Sequence, residues 1–466
     1  TTTYEYDLVG RLKKITYADS TYVEYEYNKF GKVSKMVDAN GETNYTYNER
    51  GWLISVDGPW ENDTITYSYD NAGNRVSMTT PSGEFNYTYY RNNLLKSITN
   101  PQGETTTFTY DTAGRKVEMV YANGTKTEWE YYGNDRVKDV SVKNAGSEIL
   151  ASYHYEYNTL GQLIEVTDNE GNVDNFVYDD AGRLTYEDCK DAGQQVLYSR
   201  DYTYDSVGNR TNETRDGVNI TYSYNAFNQL VSRSTPYETI YYTYDSNGNL
   251  IEEASGGNIR SYSYDYENRL IRAELGDGTY EAYTYTGDGR RIVVEKNGVV
   301  VKYIYDGMIP IIERDSSNNL LAIYTKIPSM PGGIGGLISS NDGNNTLYYH
   351  DSHLGNVNMI TDENANILKT YEYDGFGNVV DETGTLEQSY TYKTKEQSAN
   401  TGLIYFGARY YDSLIGRFIT PDPLGMVDGP NMYLYCNSDP VNKVDFWGEA
   451  SITNKTSRPL RASGNK

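Results

Sequence analysis

The sequence predicts an all-β protein: a meander of antiparallel β-hairpins that forms one continuous, curling sheet. One phrase recurs fourteen times, at a spacing of 20–22 residues with two steps of 26: an aromatic residue, any residue, a tyrosine and then a turn. No apolar pattern with helical periodicity lasts beyond a turn or two, so little helix is expected. The tyrosines that open the turns are Tyr6, Tyr27, Tyr47, Tyr69, Tyr89, Tyr110, Tyr131, Tyr157, Tyr178, Tyr204, Tyr224, Tyr244, Tyr264 and Tyr285.

Each repeat has the sequence signals of a hairpin. The aromatic residue two positions before the tyrosine shares a strand face with it. Four residues after the tyrosine stand the residue types that best tolerate positive φ: Gly in ten repeats, and otherwise Asn93, Asn228, Asn268 and Asp135. A short branched or basic run follows, as at residues 12–15, and ends in a second turn signal such as Asn40-Gly41. One hairpin is marginal alone, so stability must come from neighbouring repeats.

Composition narrows the classes of protein that fit. The 466 residues include 51 Tyr and 9 Phe, and Tyr buries a ring while its hydroxyl stays wet, so a wide sheet can be ordered without a Leu-rich core. A net charge of −24 argues against nucleic acid and anionic membranes, and no apolar segment is long enough to span a bilayer. Cys189 and Cys436 provide no disulfide framework and are predicted to be free thiols. The composition suits a secreted bacterial surface protein.

The repeat pattern weakens after Tyr305. Residues 326–341, KIPSMPGGIGGLISSN, show no strand alternation and are predicted to form an ordered loop or plug. We therefore divide the chain into a repeat region (1–325), a plug segment with the last repeat (326–401), a compact C-terminal core (402–449) and a short tail (450–466). The tail has four basic and no acidic residues and is too short to fold as an enzyme. Because Thr1 stands in mid-repeat without a signal peptide, we expect the chain to be part of something longer.

Two groups of motifs resemble a known family. The YDxxGRL phrases, as at residues 6–12 and 178–184, resemble the YD repeats of Rhs proteins, and RYYD (409–412), GRFI (416–419) and DP (422–423) resemble the Rhs repeat-associated core. The family includes bacterial polymorphic toxins, C components of insecticidal toxin complexes, wall-associated proteins and, more distantly, teneurins. The resemblance covers residues 1–449. It implies a hollow, shell-like antiparallel sheet that encloses a C-terminal toxin segment, with the C-terminal core closing the end of the shell.

The resemblance also implies self-cleavage. In the family, the cutting pair are the aspartates of two D-P-x-G-L motifs that are eighteen residues apart. Here DPLGM starts at Asp422 and DFWGE starts at Asp445, with eighteen residues between the two motifs. Cleavage is then expected between Glu449 and Ala450. The sequence departs from the family pattern at Met426, Phe446 and Glu449.

Two aspartates held together suit the chemistry of peptide cleavage. They share a proton, so that one acts as base on a water while the other acts as acid. The chain is its own substrate, and a high effective molarity replaces substrate binding. Arg417 is expected to lower the pKa of a neighbouring carboxylate or to hold its geometry. The alternative is that Asp422 and Asp445 only cap turns. The sequence therefore leaves two interpretations: structural aspartates, or an aspartyl autoprotease that cuts its own chain once.

Two further patterns are interpreted as structural. His350 and His353 flank Asp351, but H-x-x-H without a third ligand at a recognisable spacing is a weak metal signal. No metal and no cofactor are predicted. Exposed tyrosine rows stack on sugar rings in principle, which makes a glycan an alternative partner, although a repeat array needs such rows for its own packing.

Three functions fit the sequence. The first is a secreted or surface-bound Rhs-type scaffold, cytoplasmic before export, that encloses and delivers a C-terminal toxin. Its partners would be its own C-terminal segment or a preceding shell portion. The second is a structural or adhesive surface protein that binds glycans. The third is an autoprotease without a surviving cargo, and the seventeen-residue tail does not choose among them.

Overall fold

A computed structural model describes residues 1–328 and 330–449, together with the backbone of 451–453. Its elements are β-strands and three short 3₁₀ turns, Pro331–Gly333, Tyr392–Thr394 and Cys436–Ser438. Thirty-six of the strands belong to one sheet, and the pairings within it that are described are antiparallel. The prediction of an all-β protein built on a long antiparallel sheet is confirmed.

The strands of the large sheet follow one another along the chain. They are β1 (Thr3–Tyr6), β2 (Leu12–Thr16), β3 (Tyr22–Tyr27), β4 (Val33–Asp38), β5 (Gly41–Tyr47), β6 (Leu53–Asp57), β7 (Ile65–Tyr69), β8 (Arg75–Thr80), β9 (Gly83–Tyr89), β10 (Leu95–Thr99), β11 (Thr105–Tyr110), β12 (Lys116–Val120), β13 (Lys126–Tyr131), β14 (Val137–Lys143), β15 (Ile149–Tyr157), β16 (Leu163–Asp168), β17 (Val173–Tyr178), β18 (Leu184–Lys190), β19 (Val196–Tyr204), β20 (Arg210–Arg215), β21 (Val218–Tyr224), β22 (Leu230–Ser234), β23 (Thr239–Tyr244), β24 (Leu250–Ser255), β25 (Asn258–Tyr264), β26 (Leu270–Glu274), β27 (Tyr280–Tyr285), β28 (Arg291–Lys296), β29 (Val299–Asp306), β30 (Ile309–Arg314), β31 (Leu320–Lys326), β32 (Leu337–Asn341), β33 (Thr346–Asp351), β34 (Val357–Thr361), β35 (Ile367–Tyr373) and β36 (Val379–Thr383).

Two small sheets complete the C-terminal part. Four short strands form one of them: β37 (Glu396–Gln397), β38 (Ile404–Tyr405), β39 (Tyr410–Asp412) and β40 (Arg417–Phe418). The other is the pair β41 (Lys443–Asp445) and β42 (Ser451–Thr453).

The turn after each repeat tyrosine shows why the letters recur. In the repeat that Tyr178 opens, the Asp179 amide donates to the Arg183 carbonyl (3.0 Å) and the Gly182 amide donates to the Asp179 carbonyl (2.9 Å). Asp179 Oδ1 accepts from the amides of Ala181 and Arg183, and Arg183 Nε donates to Asp179 Oδ2 at 2.7 Å. Gly182 has φ +80°, which only a residue tolerant of the left-handed region adopts. The Asp, Gly and Arg of the repeat therefore each have a separate task in one turn.

All fourteen turn positions that the sequence singled out have positive φ, from Gly10 through Asn93, Asp135 and Asn228 to Gly289. The prediction of a left-handed residue at each of them is confirmed. The strand also shifts register at the tyrosine, as between Val177 and Tyr178.

At many turns, the tyrosine that opens the turn ties its repeat to the preceding one. The Tyr178 hydroxyl donates to the Leu163 carbonyl (2.6 Å), and the Tyr204 hydroxyl donates to the Leu184 carbonyl (2.7 Å). Each such bond contributes about 1 kcal/mol net. The same arrangement recurs at Tyr27, Tyr47, Tyr69, Tyr89, Tyr131, Tyr224 and Tyr264.

The chain divides into two compact units. The first comprises Thr1–Thr109, Tyr283–Thr325 and Asn341–Asn344. Within it, later strands contact the first repeats: Asp306 accepts from Arg75 (2.7 Å) and from the Tyr67 hydroxyl (3.1 Å).

The second unit comprises Tyr110–Ala282, Lys326–Ser340 and Asn345–Lys466. Its later segments pack on its repeats. The Gly375 amide donates to Glu187 (2.7 Å), and the Tyr433 hydroxyl donates to the Gly248 carbonyl (2.8 Å). Apolar contacts form one cluster with Phe376 and Val441 on one side and repeat residues on the other: Val140, Tyr155, Leu163, Leu184 and Tyr202. The C-terminal core is thereby fixed against the repeats of its own unit.

The expectation of an irregular segment over residues 326–341 is wrong for its last five residues. They form β32, Leu337–Asn341, and every residue of this strand is buried. A strand that is covered on both faces needs no alternation of polar and apolar residues, so the period-2 signal was absent. Lys326 ends β31, while residues 327–328 and 330–336 lie outside the strands and include the 3₁₀ turn Pro331–Gly333.

The C-terminal core has an apolar centre of its own. Phe406, Tyr411, Phe418 and Tyr435 are buried with Tyr392, Ile404 and Cys436 in one cluster. Both cysteines are buried free thiols, as predicted.

Candidate active site

The second aspartate motif is a tight turn that Asp445 holds closed. Asp445 ends β41 and is buried. Its Oδ1 accepts from the backbone amides of Trp447 (3.2 Å), Gly448 (2.8 Å) and Glu449 (3.1 Å). The capping role is therefore real for this oxygen. The second oxygen, Oδ2, is turned towards a guanidinium.

Asp422 of the first motif is held in a similar way. Its Oδ1 accepts from the Leu424 amide (2.8 Å), and its Oδ2 pairs with Arg409 Nη2 at 2.8 Å. Burial raises the pKa of Asp422, the cation of Arg409 opposes the rise, and the negative charge of Asp445 adds to it. The charge of Asp445 thus reaches the carboxyl group of Asp422.

Arg409 is the residue that brings the two aspartates together. Its Nη2 lies 2.8 Å from Asp422 Oδ2 and 3.6 Å from Asp445 Oδ2. Its Nε donates to the Gly448 carbonyl (2.5 Å), and its face covers the ring of Phe418 at 3.7 Å. Burial lowers the pKa of Arg409, but a guanidinium keeps its proton in proteins, so the site retains a cation.

Arg409 also reaches the bond that is predicted to be cut. Its Nη2 lies 3.4 Å from the carbonyl oxygen of Glu449. Burial, and then the charges of Asp445 and Asp422, raise the pKa of the Glu449 side chain. Ala450, the residue beyond the predicted cut, lies outside the described residues. β42 follows it and pairs with β41, with Ser451 opposite Asp445.

The other predicted site residue, Arg417, lies elsewhere. Its Nη2 donates to the carbonyl of Asn228 (2.5 Å), and its guanidinium lies 5.0 Å from the ring of Tyr224 and 4.9 Å from that of Tyr433. Arg417 therefore anchors the core to a repeat turn, and the structure gives the role expected of it to Arg409. Sequence reasoning missed Arg409, although this residue opens the RYYD block.

Each of the two histidines packs against a tyrosine ring. The His350 ring lies 4.6 Å from that of Tyr121, and the His353 ring lies 4.4 Å from that of Tyr155. Burial lowers the pKa of both histidines to about 3, so both are neutral. No group of three or more His, Cys, Asp or Glu side chains in the described part of the chain is arranged to hold a metal ion. Within those same residues, no helix has the length and apolar character needed to cross a bilayer.

Comparisons with protein families match most of the chain. The family described as Teneurin YD-shell matches residues 192–441, which is more than half of the chain. The family described as RHS Repeat matches residues 6–43, 47–84, 89–126 and 157–188.

Two curated relatives match over shorter stretches. The tRNA3(Ser)-specific nuclease WapA of Bacillus spizizenii is 33% identical over 178 residues, which is 36% of this chain and 7% of the relative. Toxin subunit YenC1 of Yersinia entomophaga is 29% identical over 99 residues, covering 20% of this chain and 10% of the relative. The chain thus spans a small part of the length of these relatives.

A solved structure matches nearly the whole chain. The crystal structure of TcdB2-TccC3 aligns with a TM-score of 0.57 and 18% identity, covering 96% of this chain and 29% of that one. At this level of identity the match shows a shared fold.

Proposed function

The chain belongs to the teneurin YD-shell family and carries RHS repeats, and from this membership we propose that it is a shell scaffold that encloses and delivers a C-terminal toxin segment. The fold that it shares with TcdB2-TccC3 and its similarity to a toxin subunit support a role in toxin delivery. A secreted or cell-surface location, after synthesis in the cytoplasm, follows from the same role.

Enclosure is tested by protection from protease. A small folded reporter is appended after Lys466 in an Asp422→Asn background, which is expected to remain uncut. A reporter inside a shell should resist a protease that digests the same reporter when it is free, and heating past the unfolding transition should remove the resistance. Digestion at the rate of the free reporter would contradict enclosure.

The second part of the proposal is self-cleavage between Glu449 and Ala450. The observation that supports cleavage is the position of Arg409 Nη2. This nitrogen faces Asp422 Oδ2, Asp445 Oδ2 and the Glu449 carbonyl oxygen. A buried cation at a carbonyl stabilises the negative charge that forms on its oxygen when water attacks. One aspartate takes the proton from that water, and the other gives a proton to the departing amine of residue 450.

The altered second motif is compatible with this chemistry. The Phe446 carbonyl accepts a hydrogen bond from Lys395, and three backbone amides of the turn donate hydrogen bonds to Asp445. Glu449 adds a third carboxyl group, whose raised pKa favours its neutral form near the aspartates. Cutting is therefore expected to be faster at mildly acidic pH than at alkaline pH.

Intact-mass measurement of freshly purified protein tests self-cleavage. The unaltered chain should yield a fragment that ends at Glu449, while Asp422→Asn and Asp445→Asn should stay whole. Asp201→Asn is the control, because Asp201 is an exposed carboxylate on a repeat strand; it should cut like the unaltered chain. An unaltered chain that stays whole over days, or cutting that persists in both site variants, would refute the assignment.

The alternative of an adhesive, glycan-binding protein has narrower support. Many repeat aromatics, such as Tyr67, Tyr87 and Tyr222, are buried and offer no face to a sugar. Tyr237 and Tyr241 are exposed, at 86% and 59%. A glycan array that shows binding which is lost in Tyr237→Ala would revive this alternative.

A further inference from the structure

Lys395 is a buried cation beside the candidate site that the proposed chemistry does not use. It follows the 3₁₀ turn Tyr392–Thr394. Lys393 and Thr394 in this turn have φ +54° and +49°, a left-handed pair without glycine. Such residues cost roughly 1–2 kcal/mol each, so the surrounding contacts must hold the turn in place.

The plug segment, here residues 326–341, supplies those contacts. Thr394 Oγ1 accepts from the Gly335 amide (2.8 Å) and donates to the Gly333 carbonyl (3.1 Å). The backbone that carries Lys395 is therefore fixed to the plug.

The side chain of Lys395 joins three segments. Its Nζ donates to the carbonyls of Gly332 (2.7 Å), Phe446 (2.8 Å) and Phe406 (3.4 Å). An ammonium has three N–H donors, and each has a carbonyl partner here. Gly332 lies in the plug, Phe406 lies beside the small sheet, and Phe446 directly follows Asp445.

The plug and the second motif also touch through their backbones. A Cβ on Gly332, which has φ +59°, would collide with the carbonyl oxygen of Phe446. Only glycine permits this approach. The Phe446 carbonyl thus has the plug's backbone on one side and the Lys395 ammonium as its donor.

We propose that Lys395 is a positioning residue for self-cleavage: it ties the second-motif turn, residues 445–449, to the docked plug and so keeps the Glu449 carbonyl at Arg409. The inference rests on the proposed self-cleavage. It adds that cutting waits until the plug segment is in place, because an undocked plug leaves Lys395 without the turn that holds it. The scaffold would then be folded before its C-terminal segment is released.

The protonation of Lys395 gives this role a pH signature. Burial lowers the pKa of Lys395 to about 7; the charge of Asp445 opposes this, and that of Lys326 adds to it. Arg409, Asp422 and the Glu449 side chain are the other ionisable groups at the turn. Above about pH 7 the amine loses one of its three N–H donors, so cutting should slow as the pH rises through that value. Lys395→Arg, which stays charged, should slow less than the unaltered chain over that range, and the slowing that remains is the part due to Glu449.

The test compares Lys395→Met, Lys395→Arg and the control Lys393→Met. Lys393 is also buried, two residues away, but its Nζ donates to the Pro440 carbonyl (3.3 Å), away from the turn. Lys395→Met should slow cutting by about 100-fold, since a shift of the scissile bond of about 1 Å has such an effect. Lys395→Arg should cut, and Lys393→Met should follow the unaltered chain.

A second measurement keeps the inference separate from the proposed function. Hydrogen–deuterium exchange at residues 446–449 is followed in the Asp422→Asn background, which stays uncut. Lys395→Met should accelerate this exchange, while Lys393→Met should leave it unchanged. Failure of the unaltered chain to cut would overturn self-cleavage, whereas unchanged exchange and an unchanged cutting rate in Lys395→Met would overturn the role of Lys395.

Discussion

The repeats and the C-terminal core of the second unit use charged residues in opposite ways. In the repeat turn, Arg183 and Asp179 pair at 2.7 Å with 21% and 25% of their side chains exposed. In the core, Arg409 and Asp445 are each 3% exposed, and much of their bonding is to backbone groups. The repeat turn is one of many equivalent turns, while the core arrangement occurs once and sets the geometry of the candidate site.

This difference predicts different costs of substitution. A partly exposed ion pair contributes about 1 kcal/mol or less, because water competes for both charges. A buried charge whose partner is removed costs about 3–5 kcal/mol, because no water replaces the partner.

Arg409→Met should have the largest effect. It leaves Asp422 and Asp445 without their cation, so the free energy of unfolding of the unit should fall by about 3–5 kcal/mol. Urea denaturation, followed by tryptophan fluorescence, measures the change. Arg183→Met in the repeat turn should lower it by about 1 kcal/mol or less; equal losses in the two variants would remove the contrast between the regions.

Two glycines with positive φ sharpen the same contrast. Gly332→Ala places a Cβ against the Phe446 carbonyl and should cost about 3 kcal/mol or more. Gly182→Ala meets no atom closer than Gln162 Nε2 at 3.5 Å and should cost only the left-handed strain, roughly 1–2 kcal/mol. Thermal unfolding of both variants decides this, and a cost at Gly332 no greater than that at Gly182 would contradict the close approach.

The stabilising contact between Gly375, which precedes the C-terminal core, and the repeat residue Glu187 should depend on pH. Burial, and then the charge of Asp374, raise the pKa of Glu187 to about 8, while bonds from Tyr202 and Gly375 oppose the rise. A folded-state pKa above the unfolded value of 4.5 means that this stability is full below about pH 4.5 and is lost as the pH rises through about 8.

Glu187→Gln should therefore flatten the pH profile. Between pH 5 and pH 9 the unaltered chain should lose about 4 kcal/mol more than the variant. Unfolding midpoints across this range measure the difference. Glu238→Gln, at a more exposed repeat position, is the control. Parallel profiles for the unaltered chain and Glu187→Gln would show that Glu187 stays ionised.

The repeat geometry could be predicted from sequence because its rules are local. The left-handed position four residues after each tyrosine is occupied by Gly, Asn or Asp. The sequence therefore identifies every one of these positions. The partner of an Asp in the turn stands four residues away in the chain, so the whole turn is written in one short phrase.

The candidate site could be predicted only in part. The two aspartates follow from the resemblance to the paired motifs of the Rhs core, whose spacing this chain keeps, but the arginine that joins them does not. Arg417 is nearer to Asp422 in sequence, yet it donates to the Asn228 carbonyl, while Arg409 lies at the carboxylates. The partners of Arg409 and Lys395 are largely backbone carbonyls. Every residue has a backbone carbonyl, so no residue type in the sequence indicates these contacts. Such contacts emerge only when distant segments fold together.

The central claim is that Asp422 and Asp445 direct a water onto the Glu449 carbonyl. Cutting in water enriched in oxygen-18 tests it most directly, with the C-terminal peptide of the large fragment analysed by mass spectrometry. The account predicts that the new carboxyl group of Glu449 carries one heavy oxygen and that the peptide is absent in Asp422→Asn. A fragment that ends at another residue, or a Glu449 carboxyl without heavy oxygen, would contradict it.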